Sequence, residues 1–441
     1  MNTVDIARYV LGGFAVTAVL AGCGGLQSPL ATSNEMAQVN RATSSSFQVL
    51  HRFGREAKGG ALPLAPLLNV NGMLYGTTRW SNRCEKNHCG NGTVFSITTG
   101  GLKKVLYKFK GGLSDGADPI GGLINVNGTL YGTTFAGGGS GCGGSGCGTV
   151  YSLSTSGAER VVYSFKGGSD GDGPTTSLID VDGTLYGTTV HGGQTGYGCG
   201  GTDSIFTCGT IYSIDPSGSE KVIYSFASIP DGAEPDTPLI DVNGTLYGTT
   251  AGGGVACGTK TITFTAGCGT VYSISTSGSE NVLYRFKGSN LAAVVPTGGL
   301  VDVNGSLYGT TANLFARGSV YKVSLTGNYK VLYYFQGLPD GSQPIGGLVS
   351  INGILYGTTQ LGGTGCESST HFECGTVFSV TTNGSETVLH SFTGRAHGAY
   401  PRSVIGVNGT LYGTTTGGGY SGCSEGCGTV FALTPQPKAW K

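Results

Sequence analysis

The pentapeptide Leu-Tyr-Gly-Thr-Thr occurs seven times in this chain, with its tyrosine at Tyr75, Tyr131, Tyr186, Tyr247, Tyr308, Tyr356 and Tyr412. The mean spacing is about 56 residues, a period that marks a repeat architecture. Seven perfect copies exclude chance. The fold must therefore use one structural unit seven times.

Each unit holds four short apolar runs of strand length. In residues 178–226 these are Leu178–Val181, Thr184–Thr189, Gly209–Ser213 and Val222–Phe226, here named strands a to d. Asp182-Gly183 joins the first two, and all seven units carry Asn-Gly or Asp-Gly there. Both residues of such a turn need φ > 0, which makes the pair a strong hairpin signal. The 83 glycines follow no collagen period and accompany strand-length apolar runs, so they read as turn residues. A four-stranded meander repeated seven times predicts an all-β, seven-bladed β-propeller of antiparallel blades. A β-solenoid is the alternative, but its repeats are shorter and lack a full meander. Val49–Phe53 reads as a strand d with no a–c before it, and the last repeat ends in strand c at Gly428–Phe431. The N-terminal strand is therefore expected to complete the seventh blade and clasp the ring.

The unit Gly-Leu-Ile-x-Val-Asn-Gly-x-Leu-Tyr-Gly-Thr-Thr…Gly-Thr-Val-Tyr-Ser…Val-Leu-Tyr-x-Phe resembles the GloVer tandem repeat of exported bacterial proteins, from Phe47 to about Leu433. That resemblance implies an exported propeller whose anchoring device varies within the family and whose activity is not established. Strand order also resembles the blades of pyrroloquinoline-quinone dehydrogenases. Those blades carry a docking Trp in strand d, where this chain has Tyr107, Tyr163, Tyr224, Tyr284 and Tyr333, or His51 and His390. The departure argues against a quinone enzyme.

At the N-terminus, Tyr9–Leu20 is an apolar run of about a dozen residues, below the ~20 needed to span a bilayer. It leads into Leu20-Ala21-Gly22-Cys23, which resembles a bacterial lipobox. The expectation is a signal peptide at 1–22, a lipidated Cys23 and a polar tether to residue 45. The propeller follows over 46–437, with a short tail at 438–441. Gly24 after the cysteine implies outer-membrane sorting, facing the periplasm or the cell surface. The tether would reach about 25 Å as a random coil.

The remaining twelve cysteines fall into local pairs: Cys84/Cys89, Cys142/Cys147, Cys199/Cys208, Cys257/Cys268, Cys366/Cys374 and Cys423/Cys427. Each pair sits in the b–c connection of one blade, and the fifth blade has none. In an exported chain this pattern predicts six disulfide staples. Zinc is the rival reading, but two cysteines per blade without a regular His partner cannot fill a four-ligand shell.

In a propeller the b–c and d–a connections emerge on one face. Here that face carries all the long, variable loops, so it is the expected binding face. Its candidate ligand contacts are Trp80, Tyr197 and Tyr420, with His88, His191, His371 and His397. The d–a loops repeat an acidic Asp-Gly-x-x-Pro signature at Asp115, Asp170, Asp231 and Asp340. This reads as turn chemistry, with calcium ligation the alternative. Asn69, Asn125, Asp180, Asp241, Asp302, Ser350 and Gly406 occupy one strand-a position and are expected to bond neighbouring blades. No nucleophile elbow, recurrent carboxylate pair or phosphate loop appears, so no catalytic residue, resident metal or other cofactor is assigned. The formal net charge is zero, which gives no argument for nucleic acid or an anionic membrane surface. Contact with the membrane is expected through the lipid anchor alone. The expected function is a monomeric, non-enzymatic envelope module binding a glycan or a protein; an assembly scaffold, or an exported hydrolase or lyase, are the other readings.

Overall fold

Each of the seven predicted turns has both residues in the left-handed region. The Asn or Asp has φ of 48–55° and the glycine 73–86°. The hairpins they make open seven four-stranded antiparallel sheets. The computed structural model of the chain describes residues 46–54, 59–81, 89–193, 208–258, 263–264, 267–287, 293–313, 316–366, 374–420, 423 and 426–435, all inside one unit, Thr43–Lys441. Blade 1 uses Leu68–Val70, Met73–Thr78, Thr93–Thr98 and Lys103–Lys108 as strands a to d. Blades 2 to 6 repeat this order. Blade 7 takes strands a to c from Ala399–Val407, Thr410–Gly417 and Thr429–Thr434, and its outer strand from Ser46–Arg52. That strand pairs antiparallel with strand c, Gln48 opposite Ala432. The chain forms a seven-bladed β-propeller closed by its N-terminal strand.

The pentapeptide sits on strand b, and each of its residues has a separate task. The leucine is buried in every blade. The tyrosine packs into the core shared with the following blade, as Tyr75 does with Leu123 and Tyr151. Glycine is required next because a strand-c aromatic lies over it. A Cβ on Gly76 would stand 2.6 Å from Cζ of Phe95, and one on Gly132 would stand 2.5 Å from Oη of Tyr151. In six blades the first threonine crosses to the next blade. Thr133 Oγ1 donates to the Thr176 carbonyl (2.9 Å), and Thr358 Oγ1 to that of Arg402 (2.8 Å), whereas Thr249 bonds Thr237 of its own blade (2.8 Å). Thr414 makes the ring-closing version, reaching the Ala65 carbonyl at 3.4 Å. The second threonine bonds within its blade, Thr78 to Thr93 at 2.7 Å and Thr415 to Thr429 at 2.9 Å.

These threonines make the blade-to-blade bonds expected of the strand-a polar ring. Asn69 Oδ1 and Asp241 Oδ1 instead accept from Gly72 N (3.0 Å) and Gly244 N (2.9 Å) in their own turns. A short side chain two residues before a tight turn finds the turn's N–H groups closer than any neighbouring blade.

Seven apolar clusters fill the seven junctions between blades. At each junction, the Phe closing strand d meets the strand-c aromatic of the next blade edge-on. Examples are Phe165 with Tyr212 (4.9 Å) and Phe392 with Phe431 (5.1 Å). Phe53 and Phe95 make the same contact (5.4 Å) where the N-terminal strand meets blade 1. In four blades the strand-c aromatic is a buried Tyr whose hydroxyl has no partner: Tyr151, Tyr212, Tyr272 and Tyr321. Phenylalanine holds this place in the other three, as Phe95, Phe378 and Phe431. Burying a hydroxyl without a hydrogen bond is unfavourable. Tyr272→Phe is therefore expected to leave the urea midpoint unchanged or raise it. A loss above about 1 kcal/mol would point to a hydrogen bond for that hydroxyl.

A second set of contacts lines the outer rim. Tyr163 OH donates to Asp170 (2.7 Å) in its own d–a loop and also faces Glu220 of blade 3. Tyr107, Tyr224 and Tyr333 repeat the arrangement with Asp115/Glu159, Asp231/Glu280 and Asp340/Glu386. At the junction of blades 4 and 5, Tyr284 stacks on Tyr329 (4.1 Å), and between blades 6 and 7 His390 stacks on Phe47 (3.8 Å). Between blades 7 and 1, His51 faces Lys103. The partners change together, so the pair at each junction remains compatible.

This rim gives the stability a pH dependence. Burial, with Asp170 adding to it, pushes Glu220 up to about 7. Burial and then Asp231 do the same to Glu280. Their folded pKa values exceed the ordinary 4.5, so the stability they contribute is complete below about 4.5 and is lost as pH rises through 7. The histidines act oppositely. Burial lowers His51 and His390 from 6.5 to about 4, so their contribution falls as pH drops from 6.5 towards 4. Urea midpoints should pass through a broad maximum between these limits. Glu220→Gln combined with Glu280→Gln should make the decline towards pH 7 shallower, with Asp172 among the groups that sustain the remainder, and an unaltered profile would contradict the assignment.

Candidate functional site

The d–a and b–c connections share one face, where short ribbons join them. Gly116–Ala117 pairs with Ala136–Gly137, Gly232–Ala233 with Gly252–Gly253, and Gly341–Ser342 with Leu361–Gly362. Ala61/Trp80 and Asp172/His191 make the same pairing as single bridges. Each d–a connection then enters a proline through a residue in the left-handed region. Six of these seven are not glycine: Leu62, Asp118, Glu234, Val295, Gln343 and Tyr400, with φ of 55–60°. Such a backbone costs of order 1–3 kcal/mol and persists only where its surroundings impose it. Here each N–H donates to a carbonyl beside strand c of the preceding blade. Glu234 N reaches Cys208 O (2.9 Å), Tyr400 N reaches Cys374 O (2.9 Å) and Leu62 N reaches Cys427 O (3.0 Å).

The cysteines support this frame. Cys142–Cys147, Cys366–Cys374 and Cys423–Cys427 are bonded as the sequence paired them, with Cα atoms 5.2–5.5 Å apart. Cys89, Cys208 and Cys268 are also disulfide-bonded. Cys84 and Cys199 lie outside the described residues, as do Cys23, His88, Tyr197 and His371, and only the backbone of Cys257 is described. Closing so short a loop contributes roughly 2 kcal/mol on the loop-entropy account. Cys142, Cys147 and Asp172 are grouped closely enough to hold a metal, but both sulfurs are spent in the disulfide.

The acidic signature makes turns. Asp115 accepts from Tyr107 OH, Lys110 N and Gly116 N, and Asp231 accepts from Tyr224 OH, Ala227 N and Gly232 N, all within 3.0 Å. Those carboxylates are occupied by protein donors. Of the other candidate contacts, Trp80 packs half-buried on the cluster joining blades 7 and 1. Tyr420 is exposed. His397 is exposed and bonded to Thr393 (2.8 Å). His191 Nδ1 stands 4.0 Å from Asp172. Burial lowers the His191 pKa and raises that of Asp172 to about 6.

Sequence reasoning missed the charges at the centre of this face. The residue after each d–a proline is Leu64, Ile120, Thr175, Asp236, Thr297, Ile345 or Arg402, on a backbone that recurs blade by blade. Arg79, at the end of strand b in blade 1, extends Nη2 to within 3.5 Å of Asp118. Thr175 Oγ1 donates to Asp236 (2.7 Å) across the blade 3–4 junction. Asp236 and Arg402 influence each other's ionisation although they belong to blades 4 and 7. Non-adjacent blades meet only at the axis, so both groups stand at the tunnel mouth. Asp236 keeps exposed surface there while protein surrounds it, as expected of a group lining a tunnel, and its pKa is raised by that enclosure. Enclosure lowers the Arg402 pKa to about 10. Aligning the seven connections on their X-Pro pairs would have found this variable ring in the sequence.

The chain belongs to the Gloeobacter/Verrucomicrobia repeat family, which it matches over residues 33–262, 197–366 and 251–441. No curated protein matches it. Among solved structures, a puromycin hydrolase is 11% identical with a TM-score of 0.50, covering 84% of this chain and 53% of that one. A luciferin-regenerating enzyme is 13% identical, with a TM-score of 0.40 and coverage of 89% and 95%. A gluconolactonase from Xanthomonas campestris is 13% identical, with a TM-score of 0.36 and coverage of 66% and 79%. At these identities the likeness concerns the fold alone. The disulfides and the repeat family mark an extracellular or envelope protein. No helix among the described residues is long and apolar enough to cross a membrane.

Proposed function

We propose that this protein is a lipid-anchored envelope module that binds a glycan, without catalysis, at the centre of its looped face. One observation carries the reading. Around the mouth the backbone is held nearly constant by the same N–H to carbonyl bonds, while the side chains it presents differ from blade to blade. Core positions do the reverse and keep aromatic, leucine and threonine identities in all seven blades. Variable residues on a rigid frame are the usual construction of a binding surface. The ring sets Thr175, Asp236, Thr297 and Arg402 among Leu64, Ile120 and Ile345. This mix of polar and apolar groups suits a sugar, which offers hydroxyl edges and apolar faces, better than a flat protein surface.

The anchor would be Cys23, acylated after cleavage behind Gly22, with residues 24–45 as tether. Labelling cells with an alkyne fatty acid should tag the protein and fail to tag Cys23→Ser. For the ligand, the Cys23→Ser protein would be applied to a glycan array. Binding to a defined glycan class is expected. A blank array together with a reproducible protein partner in pull-downs would shift the assignment to an assembly scaffold.

A further inference from the structure

Two guanidinium groups at the mouth are incompletely satisfied. Arg402 Nε and Arg79 Nε are both buried and both lack a hydrogen-bond partner. Leaving a charged donor buried and unpaired costs more than the same loss for a neutral group. The carboxylates nearby do not complete the shells. Asp118 reaches only Nη2 of Arg79, at 3.5 Å. Asp236 is held by Thr175 at 2.7 Å and influences Arg402 only through its charge. The two arginines also act on each other: the charge of Arg79 disfavours the charged form of Arg402. Two like charges near one another, each beside an unpaired N–H donor, would be relieved by an anion.

The neighbours narrow the anion's chemistry. Asp118, Glu234 and Asp236 lie around the same opening, and burial raises the pKa of each. A doubly charged phosphate would meet three carboxylates, whereas a single carboxylate between the arginines leaves them free to accept from hydroxyl groups. Thr175 and Asp236 already form a hydroxyl–carboxylate pair of the kind that binds sugar hydroxyls. We infer that the mouth takes an acidic sugar, its carboxylate held between Arg79 and Arg402 and its hydroxyls turned toward Thr175 and Asp236. This rests on the glycan-binding reading above and specifies the glycan as uronate-bearing.

The test is titration calorimetry on the Cys23→Ser protein with galacturonate, glucuronate and alginate oligosaccharides, their neutral counterparts and inorganic phosphate. At least one uronate series should bind, with its neutral counterpart at least tenfold weaker and phosphate a poor competitor. Arg402→Gln and Arg79→Gln should each weaken that binding at least tenfold, and Arg402→Lys should retain part of it. Thermal melts would show whether each variant stays folded, and two separate arginines keep the test informative if one does not. Neutral oligosaccharides binding as well as uronates, or arginine variants binding normally, would overturn the acidic-sugar assignment and leave the glycan reading standing. Phosphate competing equally would show an anion site without sugar recognition, which also overturns it. Binding of no oligosaccharide in this panel would overturn the acidic-sugar assignment, and a blank glycan array besides would overturn the glycan reading as well.

Discussion

Phe53→Ala should cost the ring roughly 3–5 kcal/mol, the range for truncating a buried phenylalanine. Phe53 is 1% exposed and meets Phe95 of blade 1 edge-on at 5.4 Å. Its backbone N–H donates to Gly428 (3.0 Å), and its carbonyl accepts from Tyr420 N (3.2 Å). It therefore joins the N-terminal strand, the last strand of the chain and the first blade. Blade 1 leans on the same strand from outside: a Cβ on Gly101 would stand 2.6 Å from the Leu50 carbonyl, and Gly101 has φ of 91°. Phe165, equivalent but within continuous chain, provides the comparison. Urea denaturation should give similar losses for Phe53→Ala and Phe165→Ala. Hydrogen exchange should show Ser46–Arg52 loosened only in the former. A loss below about 1 kcal/mol for Phe53→Ala would contradict the clasp.

Gly132→Ala should cost about 1–3 kcal/mol through overpacking. The added Cβ would lie 2.5 Å from Oη and 2.7 Å from Cζ of Tyr151, a ring the core holds on all sides. The turn glycine Gly128 makes an instructive contrast. A Cβ there meets nothing within 4 Å, but its φ of 86° disfavours any other residue. Gly128→Asn should be mild because asparagine tolerates the left-handed region, and Gly132→Asn should be worse than Gly132→Ala. Equal effects at the two sites would show that the pentapeptide glycine is not there for space.

Much of this was legible in the sequence because local chemistry dictates it. Asn-Gly between two apolar runs names the hairpin, the period counts the blades, and the unpaired Val49–Phe53 run anticipates the clasp. Spacing announced three of the cysteine pairs, Cys142–Cys147, Cys366–Cys374 and Cys423–Cys427. What was not legible depends on distances across the ring. Two of the expected strand-a bridges, Asn69 and Asp241, are turn caps, and Thr133 and Thr358 carry blade-to-blade bonds instead. Strand alternation puts the two threonines on opposite faces, but which face meets the next blade is settled only by the packing of the ring. Arg402 was missed for a related reason. Its partners, Arg79 and Asp236, stand in blades 1 and 4 and come near it only through closure of the ring. Trp80, a candidate contact residue, is half-buried, with one side against the core of the blade 7–1 junction.

The central claim is that a rigid, clasped ring presents its ligand site at the mouth of the looped face. Hydrogen exchange with and without the best array ligand tests it most directly. Protection is predicted around Leu62–Leu64, Arg79–Trp80, Asp118–Ile120, Glu234–Asp236 and Tyr400–Arg402, with the Asn-Gly turns on the opposite face unchanged. Protection centred on those turns, or on the outer strands, would contradict the account.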